Sequence, residues 1–284
     1  MEKDGDKEGV LLREEEKGAV YLTLNRPDKF NTLSEAMLAR LQQELNAIAD
    51  DPTVRCVVIA ANGRGFCAGH DLREMRANPT RSYYEELFSS CSQVMQSIVQ
   101  LPVPVIAKVQ GMTTAAGCQL VASCDLAIAA RSATFGVSGI NVGLFCSTPS
   151  VALSRNVTPK HAFDMLVTGE FISASTGVEW GLLSAMADDP DLDAAVTEKV
   201  EQILSKSPAA VRFGKSMFHR QREMPLADAY DFASKVMVEN MMNNDSAEGI
   251  DAFLDKRSPV WEQGGGIQRQ QANEKQVAEN SHQY

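Results

Sequence analysis

Two segments combine glycine and alanine with a passage from an apolar run into a helical one: residues 63–72, GRGFCAGHDL, and residues 111–119, GMTTAAGCQ. Where no bulky side chain intervenes, a backbone N–H can approach a ligand closely, and a helix starting there adds the positive end of its dipole. Two such N–H groups, one from each loop, could hold a single oxyanion. Small residues also serve tight turns and close helix–strand packing, and on spacing alone that plainer reading is the stronger.

The other chemistry-bearing side chains are scattered. His161, His219 and His282 have no convergent partners in the sequence and read as structural or exposed. Cys56, Cys67, Cys91, Cys118, Cys124 and Cys146 form no C-x-x-C pair and sit mostly in apolar runs, so they read as reduced core thiols. Cys67, Cys118 and Cys146 fall near the two loops, where a thiolate would be nucleophilic, but a small buried hydrophobe is the favoured reading. Glu74, Glu85 and Glu86 follow the first loop and read as solvent-facing. The spacing of His70 and Glu74 suits a metal pair, yet nothing completes a site, and no metal is expected.

The 284 residues are 44% hydrophobic and 23% charged, the composition of a soluble globular chain able to bury a core. A formal net charge of -10 argues against nucleic acid as a partner, because phosphate backbones are held by clustered Lys and Arg. An anionic ligand would be met by a few local cations. The first residues, MEKDGDKEG, are acidic and polar, without an apolar core or an amphipathic Arg/Ser-rich stretch. No apolar run is long enough to span a bilayer. The expectation is a cytoplasmic protein with no membrane insertion.

The elements that must position the loops can be read from periodicity. VLLREEE and AVYLTL read as strands before a breaker cluster at Asn25, Arg26 and Pro27. Ser34 then suits the N-cap of a helix whose stripe is Met37, Leu41, Leu45 and Ile48. VRCVVIA, VPVIAKV and DLAIAA are short, almost continuously apolar runs that suit strands covered on both faces. With helices between them they imply βαβ units and a largely parallel sheet. Helical patterns dominate later, with Ser173 opening one helix and others near residues 194–204, 209–220 and 226–242. The expected organisation is a flexible start at 1–9, a core at 10–189, a helical region at 190–263 and a disordered tail at 264–284.

Several motifs in register resemble the crotonase (enoyl-CoA hydratase/isomerase) superfamily. They are RPDKFNTL at 26–33, GRGFCAGHDL, VIAKVQGMTTAAGCQLVASCDLAIAA, FGVSGINVGLF at 135–145, LVTGEFISASTGVEWGLL and EGIDAFLDKRSPVW. The details HDL, AAGCQLVASCD and NVGLFCSTPS resemble one branch of it. The resemblance implies an α/β fold, a ClpP-like spiral of ββα units with a C-terminal helical trimerisation region, assembled as a homotrimer or a dimer of trimers. It implies a coenzyme A thioester as ligand and no permanently bound cofactor. The oxyanion hole would be the backbone N–H groups of His70 and Ala116. Lys29 would approach the nucleotide phosphates, Phe66, Ala68 and Leu72 would line the adenine and pantetheine path with Gly69 between them, and Phe253 with Lys256 would close over the nucleotide. Asp71 reads as a helix cap or loop organiser.

The sequence departs from that pattern at two positions. A typical hydratase of this superfamily carries two glutamates in the segments matching AAGCQLVAS and FGVSGINVG; here those positions hold Gln119 and Gly139. Hydration needs one group to take a proton from water and another to deliver one to carbon, each contributing about 10²–10⁴-fold. An amide exchanges no proton usefully, and glycine offers no side chain. Standard hydratase activity, the lyase chemistry of fatty acid metabolism, is therefore expected to be weak or absent. His70 could substitute through its ring, although its main chain is the part the resemblance turns inward.

Overall fold

The computed structural model describes residues 9–262, so the expected tail at 264–284 and most of the expected flexible start lie outside the described residues. The chain divides between Val200 and Glu201 into two compact units.

The first unit is built on two sheets. Strands β1 (Leu11–Glu16) and β2 (Ala19–Leu24) form an antiparallel hairpin that opens the larger sheet. Next come α1 (Glu35–Ala49), β3 (Cys56–Ala61), β4 (Gly65–Cys67), α2 (Leu72–Ala77) and α3 (Arg81–Gln100). They are followed by β5 (Val105–Val109), β6 (Met112–Thr114), α4 (Ala116–Ser123), β7 (Leu126–Ala130) and β8 (Thr134–Gly136). Helices α5 (Ser147–Leu153) and α6 (Pro159–Thr168), strand β9 (Ile172–Ser173), α7 (Ala174–Trp180), β10 (Ala185–Ala187) and α8 (Leu192–Leu204), whose last turn falls past the division, complete the series. The larger sheet has the order β1-β2-β3-β5-β7-β10 and is parallel from β2 onward.

The smaller sheet, β4-β6-β8-β9, makes the fold two-sheeted where the sequence suggested one largely parallel sheet. Its strands run for only two or three residues, too short for alternation to be read. Each long strand β3, β5 and β7 is followed by a short one, β4, β6 and β8, and then by a helix. This is the repeating ββα spiral that the resemblance implies.

The core explains the order. Every residue of β3 is buried, as its continuous apolar run requires, because α1 and α3 pack together and contribute to the same core. Helix α1 starts where Ser34 Oγ accepts from the Met37 N–H, and its stripe of Met37, Leu41, Leu45 and Ile48 is buried. Ser173 caps α7 in the same way. All six cysteines are free and five are buried, in keeping with core thiols. Burial pushes Cys67, Cys91 and Cys118 up to about 12.

The second unit carries α9 (Pro208–Gln221), α10 (Leu226–Met241) and α11 (Asn244–Leu254). Ser207 donates to Asp245 at 2.5 Å in its buried part. Its surface shows large apolar side chains, among them Leu226, Tyr230, Met237, Met242 and Phe253.

Candidate functional site

The first loop leaves β4 and reaches α2 through Ala68, Gly69, His70 and Asp71. Its shape is fixed from the preceding turn. Asn31 is fully buried and donates through Nδ2 to the carbonyls of Asn62 at 2.9 Å and Gly65 at 3.0 Å, while its Oδ1 accepts from the Arg26 N–H at 2.8 Å. Asn31 is itself at φ 51°, a conformation that Asn tolerates better than most residues. The Leu33 N–H donates to Gly69 O at 2.8 Å, and Leu33 bridges His70 in parallel fashion. A parallel bridge uses the residues on either side of His70, so the His70 N–H faces away from Leu33. Asp71 caps α2 by accepting from the Arg73 N–H at 3.0 Å, and the Arg26 guanidinium stands 3.7 Å away. Asp71 is thus the loop organiser that its position suggested.

The second loop leaves β6 and turns at Ala115, which holds φ 51° and ψ −122°. A non-glycine residue there costs about 1–3 kcal/mol, and such strain persists only where the surroundings enforce it. Ala116 is the first residue of α4, so its N–H is one of those a helix leaves without an intrahelical acceptor.

The two loops touch at Gly69. Its φ is +85°, and a Cβ there would lie 2.9 Å from Ala115 Cβ and 3.1 Å from Ala116 N. Only glycine permits that approach. A Cβ on Gly117 would lie 2.2 Å from Cys67 O, so α4 also packs directly on the backbone of β4.

The positions of the missing glutamates are now defined by their surroundings. Gln119 lies one turn after Ala116, is 5% exposed, and holds Oε1 buried without a hydrogen-bond donor. Gly139 stands in a 3₁₀ turn, Ser138–Val142, where a Cβ would meet Leu144 O at 2.6 Å and Cys146 Sγ at 2.7 Å. The space a side chain would need is thus occupied by a backbone carbonyl and a thiol that donates to Val137 O at 3.5 Å. Burial raises that thiol's pKa, so it stays neutral.

The His70 ring lies edge-on to Phe88 at 5.5 Å, and Phe88 stacks on Tyr84, whose hydroxyl donates to Met75 O at 3.0 Å. Its Nδ1 is 3.4 Å from Leu33 O, while Nε2 is buried without a partner. Burial pushes its pKa below the ordinary 6.5, although the Leu33 carbonyl opposes this, and the ring is neutral. A lowered folded pKa means stability that is present above 6.5 and lost as pH falls toward the folded value. Replacing His70→Gln should therefore reduce the drop in melting temperature between about pH 7.5 and about pH 5.5. A drop as large as that of the native chain would assign the acid sensitivity elsewhere.

The remaining positions are not all gathered together. Lys29 is exposed on the turn Pro27–Lys29, Ala68 is half-buried with its N–H donating to Phe30 O at 3.0 Å, and Leu72 is 53% exposed. Phe66, expected beside the coenzyme path, has its ring 0% exposed in the core. Phe253, 82% exposed on α11, and Lys256, just beyond it, belong to the second unit. Sequence reasoning missed the Asn31 clamp, the Arg64 guanidinium 4.4 Å above the Phe30 ring, and the 2.8 Å hydrogen bond between Thr114 and Ser138 hydroxyls beside Gly139. A polar residue inside KFNTL was the one available signal. Among the described residues no group of three or more His, Cys, Asp or Glu is placed to hold a metal.

The ββα spiral and its two touching loops agree with the match of residues 14–264 to the enoyl-CoA hydratase/isomerase family, and the chain belongs to that family. Within the crotonase superfamily it stands with the enoyl-CoA hydratase domain-containing protein 3 group, the branch that HDL, AAGCQLVASCD and NVGLFCSTPS resemble. It is 45% identical to the mitochondrial protein of that name from Xenopus laevis over 252 residues, covering 89% of this chain and 86% of that one. The crystal structure of an enoyl-CoA hydratase from Mycobacterium smegmatis matches with a TM-score of 0.89 at 56% identity, covering 89% of this chain and 99% of that one. The crystal structure of the human domain-containing protein 3 gives 0.87 at 45% identity, covering 89% and 100%. The expectation of a cytoplasmic location is overturned, because the curated relatives of this group are named mitochondrial. The composition of a few polar leading residues does not determine a compartment.

Proposed function

We propose that the chain binds acyl-CoA thioesters and stabilises a thioester enolate through the main-chain N–H groups of His70 and Ala116, with little or no ordinary hydratase activity. The observation that carries this is the contact at Gly69, where the first loop meets the helix start that presents Ala116. Donors aimed at charge that develops in a water-poor site are worth roughly 2.7–4 kcal/mol each. Lys29, Ala68, Gly69, Asp71 and Leu72 border the path of the coenzyme. The apolar side chains exposed on α10 and α11 support self-association into a trimer or a dimer of trimers.

Hydration of crotonyl-CoA tests the negative half. The native chain should turn over at least about 10²-fold more slowly than an ordinary hydratase. Adding Gln119→Glu together with Gly139→Glu should destabilise the fold without restoring activity, because the second substitution overlaps Leu144 O and Cys146 Sγ. Turnover at the level of an ordinary hydratase, in either protein, would contradict the proposal.

Decarboxylation of a malonyl-type thioester is a second reading, favoured by a neutral imidazole and a neutral amide at the two loops. There the breaking bond to CO₂ supplies the electron pair of the enolate, which then takes a proton from solvent. Release of CO₂ and propionyl-CoA from methylmalonyl-CoA would establish it, and full recovery of the substrate would leave binding alone.

A further inference from the structure

The groove between α1 and α3 holds a cavity of about 570 Å³, within the size range of small-molecule sites and separate from the two loops. Phe88 meets the His70 ring, whereas Tyr83, Glu86 and Leu87, on another face of α3, line the cavity. The two helices start at the same end, because Glu35 lies beside Tyr83 while Gln42 Nε2 donates to Ser97 Oγ at 2.8 Å. The lining therefore changes along the groove. Near the helix starts stand the carboxylates of Glu35 and Glu86. Tyr83 adds no charge there, since burial and the Glu35 carboxylate push its hydroxyl up to about 12. Leu38 and Leu87, 2% and 4% exposed, form an apolar floor. Beyond them Gln42 gives its Nε2 to Asn46 and Ser97, which leaves Oε1 buried without a donor. An amide oxygen removed from water and left unpaired is costly. Among the described residues none of those lining the cavity is Lys, Arg or His.

A negative end, an apolar floor and an unpaired acceptor call for a ligand with the matching succession of groups. A metal ion does not fit, because no group of three or more His, Cys, Asp or Glu among the described residues is placed to hold one. A quaternary ammonium would bring no N–H to Gln42. We propose that this cavity is a binding site for a linear aliphatic diamine or polyamine. One ammonium group lies against Glu35 and Glu86, methylenes cover Leu38 and Leu87, and a second nitrogen donates to Gln42 Oε1. Glu35 and Gln42 are seven residues apart on α1, a rise of about 10 Å, which an eight-carbon chain spans. The site is independent of the acyl-CoA reading above.

Calorimetry of the full chain with 1,8-diaminooctane should give saturable binding of one molecule per chain. Suberate, the dicarboxylate of the same length, should not bind, and octylamine, which lacks the second nitrogen, should bind roughly 5- to 20-fold more weakly. Glu86→Gln should weaken the diamine by a similar factor, while Glu170→Gln, which removes an exposed carboxylate outside the cavity, should leave its affinity unchanged. That pair of variants separates a built site from the general attraction of a chain of net charge -10 for cations. The absence of saturable diamine binding would overturn the proposal, and so would equal losses in the two variants, equal affinity for octylamine, or binding of suberate in its place.

Discussion

An ester in place of the amide at position 116, made by inserting lactate for Ala116, should weaken binding of an enolate ligand about 10²–10³-fold. The substitution keeps the methyl side chain and removes only the N–H, the group that α4 leaves free at its first residue. Acetoacetyl-CoA is a suitable probe, because its acidic α-carbon lets it bind as the enolate, which absorbs in the ultraviolet. A saturated ester such as butyryl-CoA should lose far less, about 3- to 10-fold, since its neutral carbonyl gains only the net value of an ordinary hydrogen bond. The ester also weakens the Ala115 carbonyl, which accepts from the Gln119 N–H at 3.1 Å, so stability should fall by about 1 kcal/mol. Equal losses for both ligands would mean that the N–H does not face developing charge.

Gly117→Ala should be among the most damaging single methyls that can be added to the first unit near the site. Its Cβ would sit 2.2 Å from Cys67 O and 2.8 Å from Cys67 Cβ, and the nearest atoms belong to the backbone of β4. No side-chain rotation relieves that overlap, so α4 must shift as a body. The expected cost is about 3 kcal/mol or more, a fall in melting temperature of about 6–12 °C. Moving α4 also moves the Ala116 N–H, and affinity for acyl-CoA should fall with stability. Gly214→Ala is the control, because a Cβ there meets nothing within 4 Å, and in helix α9 it should be neutral or slightly stabilising.

Much of the frame was legible because it rests on long-period signals. The continuous apolar runs became β3, β5 and β7, and the stripe and cap of α1 stand where Ser34, Met37, Leu41, Leu45 and Ile48 placed them. The short strands β4, β6, β8 and β9 were not legible, since two or three residues carry no period. The site was legible only as pairs of small residues. Its decisive features are tertiary: the strained Ala115, the burial of Asn31 and the crowding around Gly139 all depend on chain segments far apart in sequence. Phe66 shows the same limit, because a ring next to a ligand loop can equally face the core, and here it does. Gln119 was marked in the sequence by what it replaces; the structure adds that its acceptor is unpaired.

The account stands on two peptide N–H groups meeting one thioester oxygen. Infrared difference spectroscopy of an acyl-CoA labelled with ¹³C at the thioester carbonyl reads that contact directly. Binding should move the carbonyl stretch to lower frequency, and the ester at position 116 should reverse part of the shift. A labelled ester that binds with its carbonyl frequency unchanged from water would contradict the account.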